Sequence, residues 1–140
     1  MKVVLDTNVF VAAFASRGLC EAVVELCLDR HRVGVSRELL QELRRNLVRK
    51  VKLPPATADE IVRFVESRSE TVSPTPVPES SCRDADDLKI LGTAIAFGAD
   101  CLITGDQDLL VLKQIHATRI VSPREFGRIL GEQEKRDHVR

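Results

Sequence analysis

Apolar positions come in short runs whose period changes along the chain, and the changes mark out the elements. Residues 2–5 (Lys-Val-Val-Leu) form a continuous run closed by Asp6, which predicts a short buried strand. Val9–Ala15 then reads as a helix. After Gly18, the spacing of Val23, Val24, Leu26 and Cys27 predicts another over Leu19–Arg30. Arg32–Val35 reads as a second strand. Ser36 is a good N-cap for a helix whose buried stripe is Leu39, Leu40, Leu43 and Leu47. That helix runs to about Lys52, where Leu53-Pro54-Pro55 stops it. Thr57 is placed to cap a further helix from Ala58 to about Ser69.

The Pro-rich stretch 73–81 predicts an extended edge segment around Val72 or Val77. Arg83–Gly98 has helical period, Cys101–Thr104 reads as a strand, and Gly105-Asp106 begins a turn. A short helix near Leu109–Lys113, a strand at Arg119–Val121 and a helix from Pro123 to about Leu130 follow. Gly131–Arg140 is polar and reads as a frayed end, so the expected organisation is one domain over 1–131 and a tail over 132–140. Short apolar strands alternating with helices predict an α/β fold with a mostly parallel sheet covered on both faces. In such sheets the ligand crevice lies at the carboxyl ends of the strands.

Composition narrows the classes. The chain has 140 residues, 44% apolar and 30% charged, which suits one globular domain. Its longest uncharged runs, Thr7 to Ser16 and Ile90 to Ala99, are far short of the roughly 18 residues that span a bilayer. Asp6 interrupts the first apolar stretch, so no signal-peptide pattern is read there. The four cysteines have no Cys-x-x-Cys pair and no His at zinc-finger spacing, which predicts free thiols in a reducing, cytoplasmic setting.

Net charge is zero, but its distribution is uneven. From Asp84 to Asp108 there are six carboxylates and one base, Lys89; from Leu43 to Lys52 there are five bases and no acid. Asp6 and Asp106 each follow a strand, on the predicted carboxyl edge. Asp84 and Asp87 open the helix that feeds the third strand, and Glu42 flanks the stripe of the Ser36 helix. By the same wheel Asp86 points nearly opposite, and Glu38 lies round toward solvent. The expected cluster is therefore Asp6, Glu42, Asp87 and Asp106, with Asp84 and Asp108 near it. Carboxylates gathered apart from bases repel one another unless a cation sits among them. Oxygen ligands without His or Cys suit Mg²⁺ or Mn²⁺, whose Lewis acidity fits phosphodiester hydrolysis.

Each residue also has a plainer reading. Asp6 can cap a helix, Glu42 can be a solvated helix residue, and Asp84, Asp86 and Asp87 favour a helix N-terminus. Asp106 and Asp108 are ordinary turn residues, and Asn8, Ser36 and Thr104 can each be a cap or a satisfied strand-end group. The bases Arg44, Arg45, Arg49 and Lys50 suit a helix C-terminus as well as a phosphate-contacting surface. What the plainer readings leave out is why the acids converge on one edge of one sheet.

In order along the chain, Val3-Val-Leu-Asp-Thr-Asn-Val9, Ser36 with Glu38-Leu-Leu-Gln-Glu42, Arg83-Asp-Ala-Asp-Asp-Leu-Lys-Ile-Leu-Gly-Thr-Ala94, Gly98-Ala-Asp-Cys-Leu-Ile-Thr-Gly-Asp-Gln-Asp-Leu-Leu110 and Ile120-Val-Ser-Pro-Arg-Glu-Phe126 resemble the PIN-domain family. Within it they are similar to the VapC-like toxin ribonucleases of prokaryotic toxin–antitoxin systems. The resemblance implies a three-layer α/β/α sandwich and Mg²⁺- or Mn²⁺-dependent cleavage of RNA. It places Asp6, Glu42, Asp87 and Asp106 at the acidic ligand positions and Asn8 and Thr104 at supporting ones. Asp84 and Asp108 fall at acidic positions that vary between subgroups. It also implies an antitoxin protein as partner and a homodimer. Two other readings stand beside it: a non-catalytic RNA- or partner-binding domain, and a phosphatase using Asp6 as nucleophile, although Asn8 stands where such sites want a second Asp.

Overall fold

A computed structural model describes residues 1–138. In chain order the elements are β1 (Lys2–Leu5), α1 (Thr7–Ala15), α2 (Leu19–Arg30), β2 (Arg32–Val35), α3 (Arg37–Arg49), α4 (Pro55–Ser67) and β3 (Glu70–Thr71). A 3₁₀ turn (Glu79–Ser81), α5 (Ala85–Phe97), β4 (Cys101–Ile103), α6 (Gln107–Leu110), β5 (Gln114–Ile115), β6 (Thr118–Val121) and α7 (Pro123–His138) follow. The sheet order is β3-β2-β1-β4-β6-β5, parallel throughout except for the β5–β6 hairpin.

Strand register shows how the two faces are covered. Successive residues of a strand face opposite ways, yet Val3, Val4 and Leu5 are all buried, as are Cys101, Leu102 and Ile103. Lys2 and Val4 share a face with their partners Arg32 and Gly34. The ring of Phe97, from α5, lies against that face, 4.7 Å beneath the Lys2 Nζ. Val3 and its partner Cys101 point the other way, toward Cys27 of α2. With α2 packed on α1 and α7, the chain is a three-layer α/β/α sandwich.

The crossovers from β1 lead to β2 and then β3 on one side, whereas β4, β6 and β5 lie on the other. The strand order therefore reverses between β1 and β4, and the crevice at their carboxyl ends is the natural ligand position. A fully buried core, including Phe10, Leu43, Leu47, Leu91 and Phe126, holds that edge rigid from both faces.

Several boundaries depart from the periodicity, for local reasons. The helix after Ser36 ends at Arg49, before the prolines, because Lys52 adopts a left-handed conformation and turns the chain so that the Leu53 N–H bonds the Leu47 carbonyl. Pro54 and Pro55 start the next helix: Pro54 is its N-cap and Pro55 needs no amide partner in the first turn, so Thr57 lies inside α4 and caps nothing. The short helix near Asp106 covers Gln107–Leu110, capped by Asp106 itself, and β5 is an element that the periodicity does not reveal. The last helix does not end near Leu130 but continues to His138, so residues 132–138 are helical; 139–140 lie outside the described residues.

The Pro-rich segment continues β3 at the sheet edge, with the Val72 N–H on the Val35 carbonyl. It then crosses α5, where the Thr75 N–H bonds the Gly92 carbonyl at 3.0 Å. A Cβ on Gly92 would stand 2.3 Å from the Thr75 oxygen, so only glycine admits the crossing. Gly98 ends α5 in the left-handed conformation, φ 67°, and returns the chain into β4.

Candidate metal centre

Asp6 leaves β1 at the point where α1 begins, and the turn uses both of its oxygens. Oδ1 accepts the Thr7 N–H at 2.7 Å, and Oδ2 accepts the Thr104 hydroxyl at 2.7 Å. Thr104 follows β4 and is fully buried, and its oxygen in turn accepts the Asp106 N–H at 3.0 Å. One hydroxyl therefore fixes the ends of β1 and β4 relative to each other. Asp106 caps α6 by accepting the Asp108 N–H at 2.9 Å.

Asp84 caps α5, accepting the Asp86 N–H at 2.9 Å, and the first turn delivers Asp87 into the crevice. Asp87 is only 6% exposed, and its Oδ2 accepts a weak hydrogen bond from the Cys82 thiol at 3.5 Å. Burial pushes its carboxyl up to about 7, with the charges of Asp106, Asp84 and Asp6 adding to the effect. Burial also raises Asp6, reinforced by Asp106 and Asp84, while its hydrogen bonds from Thr104 and Thr7 pull the other way. Among the described residues no cation pairs with any of these acids within 4 Å.

Carboxylate oxygens of Asp87, Asp106 and Asp108 lie within 4.8 Å of one another. Oxygens around a six-coordinate Mg²⁺ at about 2.1 Å stand roughly 3–4 Å apart, so small side-chain movements would close this trio on a hard divalent ion. An all-oxygen donor set, mutual repulsion and the lack of a paired cation among the described residues all fit such an ion. Asp6 lies outside the trio but close enough to feel Asp106 and Asp84.

Glu42 stands on the flank. Its Oε2 accepts the Thr7 hydroxyl at 3.3 Å, and burial raises its carboxyl, followed by the charges of Asp86 and Asp6. Asp86 is exposed, on the side of α5 away from the buried stripe, and it lines a cavity between α3 and α5 together with Glu42. Glu38 is half-buried and lines the same cavity, with its Oε2 shut off from solvent. The cavity they share forms where α3 meets α5 flank to flank, a contact that no single-helix wheel contains.

The remaining expected positions divide. Asn8 is exposed on α1, with no side-chain hydrogen bond among the described residues. Arg44 is tied to Asp59 at 2.6 Å. Arg45 lines the α3–α5 cavity and, with Arg49, a shallow groove along α3; Lys50 is exposed at the end of the helix. Thr7 and Cys82 contact the acids without having been singled out. The hydroxyl beside Asp6 in the first turn was a readable signal for Thr7, whereas nothing in the sequence spacing places Cys82.

A family model described as a PIN domain matches residues 2–108. An uncharacterized protein of Methanocaldococcus jannaschii is 30% identical over 141 residues, covering 90% of this chain and 89% of that protein. A chain in the crystal structure of VapBC2 from Rickettsia felis, bound to a DNA fragment from their promoter, aligns with a TM-score of 0.60. It covers 87% of this chain and 98% of its own, at 20% identity, a likeness of fold.

Proposed function

Because the chain belongs to the PIN-domain family, we propose that it is a hydrolase that cuts RNA phosphodiester bonds with Mg²⁺ or Mn²⁺, as the toxin of a toxin–antitoxin pair. The observation that carries the reading is the trio of Asp87, Asp106 and Asp108 oxygens within 4.8 Å, with no cation paired to them within 4 Å among the described residues, at the switch point of the sheet. The bound ion supplies charge neutralisation at the phosphoryl group and acidity to water.

The chain's own residues do the rest. Asp87 and Asp106 hold the ion, with Asp108 completing the set. Asp6 is locked by Thr7 and Thr104, and adds negative potential and a further ligand oxygen at the strand end. Glu42, steadied by the Thr7 hydroxyl, orients the attacking water or helps to hold a second ion. Attack then proceeds directly at phosphorus, because burial raises the Cys82 thiol above its ordinary value and no base activates a Ser or His beside these groups among the described residues. Arg45, Arg49 and Lys50 follow the backbone phosphates leading away along α3, whereas Arg44 is engaged by Asp59. The expected setting is cytoplasmic, with an antitoxin protein as partner and a homodimer as the working form. The VapBC2 likeness supports that setting through its fold.

Incubation with a mixed RNA pool in Mg²⁺, Mn²⁺ or EDTA tests the reading, run beside Asp6→Asn and Asp106→Asn. Metal-dependent cutting lost in both variants is the expected result. A folded wild type that takes up metal yet cuts no RNA would favour a binding domain instead.

A further inference from the structure

A groove between the 3₁₀ turn and the end of α6 has no part in the chemistry above, yet it opens at the candidate metal centre, because Asp108 lines it. Its volume is about 590 Å³, within the roughly 300–1,000 Å³ of small-ligand sites, so it has room for one nucleotide. The topology fixes where it lies. α3 leaves β2 on one side of the switch point and α6 leaves β4 on the other, so the groove and the basic face of α3 flank the trio from opposite sides.

The lining is mixed. Among the described residues four large apolar side chains are exposed, and two of them, Val111 at 69% and Leu112 at 36%, stand together here. They leave apolar surface in water that the flat face of a ligand can cover. Arg83 is exposed as well, and pairs with no carboxylate within 4 Å among the described residues, although Glu79 and Asp108 line the same groove. Its guanidinium therefore keeps its donors for an incoming anion. With Asp108 assigned to the metal set, Glu79 and Arg83 balance, so the groove suits a single phosphate carrying an apolar body and not a run of phosphates. Ser80 adds a hydroxyl at the rim.

Resting on the ribonuclease reading, we propose that this groove holds the nucleotide on the far side of the scissile bond from α3, with its phosphate on Arg83 and its base and ribose against Val111 and Leu112. Arg45 and Arg49 then contact the strand on one side of the cut and Arg83 on the other, so the bond between them is drawn across the trio. The planar guanidinium of Arg83 can meet two phosphate oxygens at once. A base lying on Val111 and Leu112 has left its stack, which single-stranded RNA permits.

The test uses a set of seven-nucleotide RNAs of one sequence, each with a neutral methylphosphonate in place of one phosphate. Binding to the full chain in EDTA is read by fluorescence anisotropy, and cleavage of the unmodified RNA in Mn²⁺ locates the cut. Arg83→Ala should weaken binding about fivefold or more and flatten the slope of log affinity against log salt by about 0.7, the value for one phosphate of a single strand. One methylphosphonate should cost this variant nothing further, and it should lie across the cut from those that Arg45→Ala with Arg49→Ala no longer senses. Val111→Ser should weaken binding about threefold or more, and by less when the nucleotide at that position lacks its base. Arg83 and Val111 are exposed, so neither substitution empties the core. Unchanged affinity in either variant, no binding of any of the RNAs, or an Arg83-dependent phosphate on the α3 side of the cut would overturn the inference; a groove built for a protein partner would give the first of these results. Arg83-dependent binding without cleavage would sink the ribonuclease reading and leave the groove standing, whereas cleavage with unchanged binding would sink the groove alone.

Discussion

Without divalent ions the protein should lose stability as pH rises from 5 to 8, and Asp87→Asn should remove most of that loss. The folded state holds the Asp87 proton up to about pH 7, against an ordinary value of 3.8. Between those values the native protein binds more protons than the unfolded chain, so unfolding is easier at higher pH. At 1.36 kcal/mol per unit, one such group costs about 2–3 kcal/mol between pH 5 and pH 8. For a chain of this size that is a fall in Tm of about 8 °C. Asp6 and Glu42 are raised by the same burial and act in the same direction. His31 opposes them, because burial first and then the N-terminal charge hold its ring below the ordinary range, so its protonation at pH 5 weakens the fold. The difference between wild type and variant cancels His31. Urea unfolding in EDTA across that range should show the gap in favour of Asp87→Asn widening by about 2–3 kcal/mol, less a few tenths for a carboxylate lost from the first turn of α5. A gap that stays constant or narrows with pH would refute the argument that burial, reinforced by like charge, raises the Asp87 carboxyl.

Two further predictions concern other parts of the molecule. Gly92→Ala should cost about 1–3 kcal/mol by forcing the Thr75 carbonyl off α5, and limited proteolysis should then cut within 73–81 faster than in wild type. Arg45→Ala with Arg49→Ala should weaken RNA binding and make the slope of log affinity against log salt shallower by about one to two units, whereas Arg44→Ala, whose partner is Asp59, should leave the slope nearly unchanged.

What the sequence reveals of this fold follows from how local each signal is. Leu19–Arg30 and Arg32–Val35 are bounded by Gly18 and Ser36, and their limits in the structure are those the residues predict. Gln114–Ile115 is too short and too polar to show a period, and it pairs only because Lys113 and His116 adopt left-handed conformations around it. Residues 132–137 of α7 are polar and exposed, with no apolar stripe, so periodicity has nothing to register there. At the candidate centre the strand-end acids were legible because parallel topology sends Asp6 and Asp106 to one edge. The tight grouping of Asp108 with Asp87 and Asp106 depends on α6 starting at Gln107, two residues earlier than the apolar pattern suggests. That Glu38 and Asp86 share a cavity was not legible, because their surroundings are set by a neighbouring helix.

The central claim is that these carboxylates form a divalent-metal centre, and direct Mn²⁺ titration followed by electron paramagnetic resonance tests it most closely. Wild type should take up Mn²⁺, in competition with Mg²⁺. Asp87→Asn, Asp106→Asn and Asp108→Asn should each weaken uptake by about tenfold or more. A folded protein that binds no Mn²⁺, or whose binding survives all three substitutions together, would contradict the account.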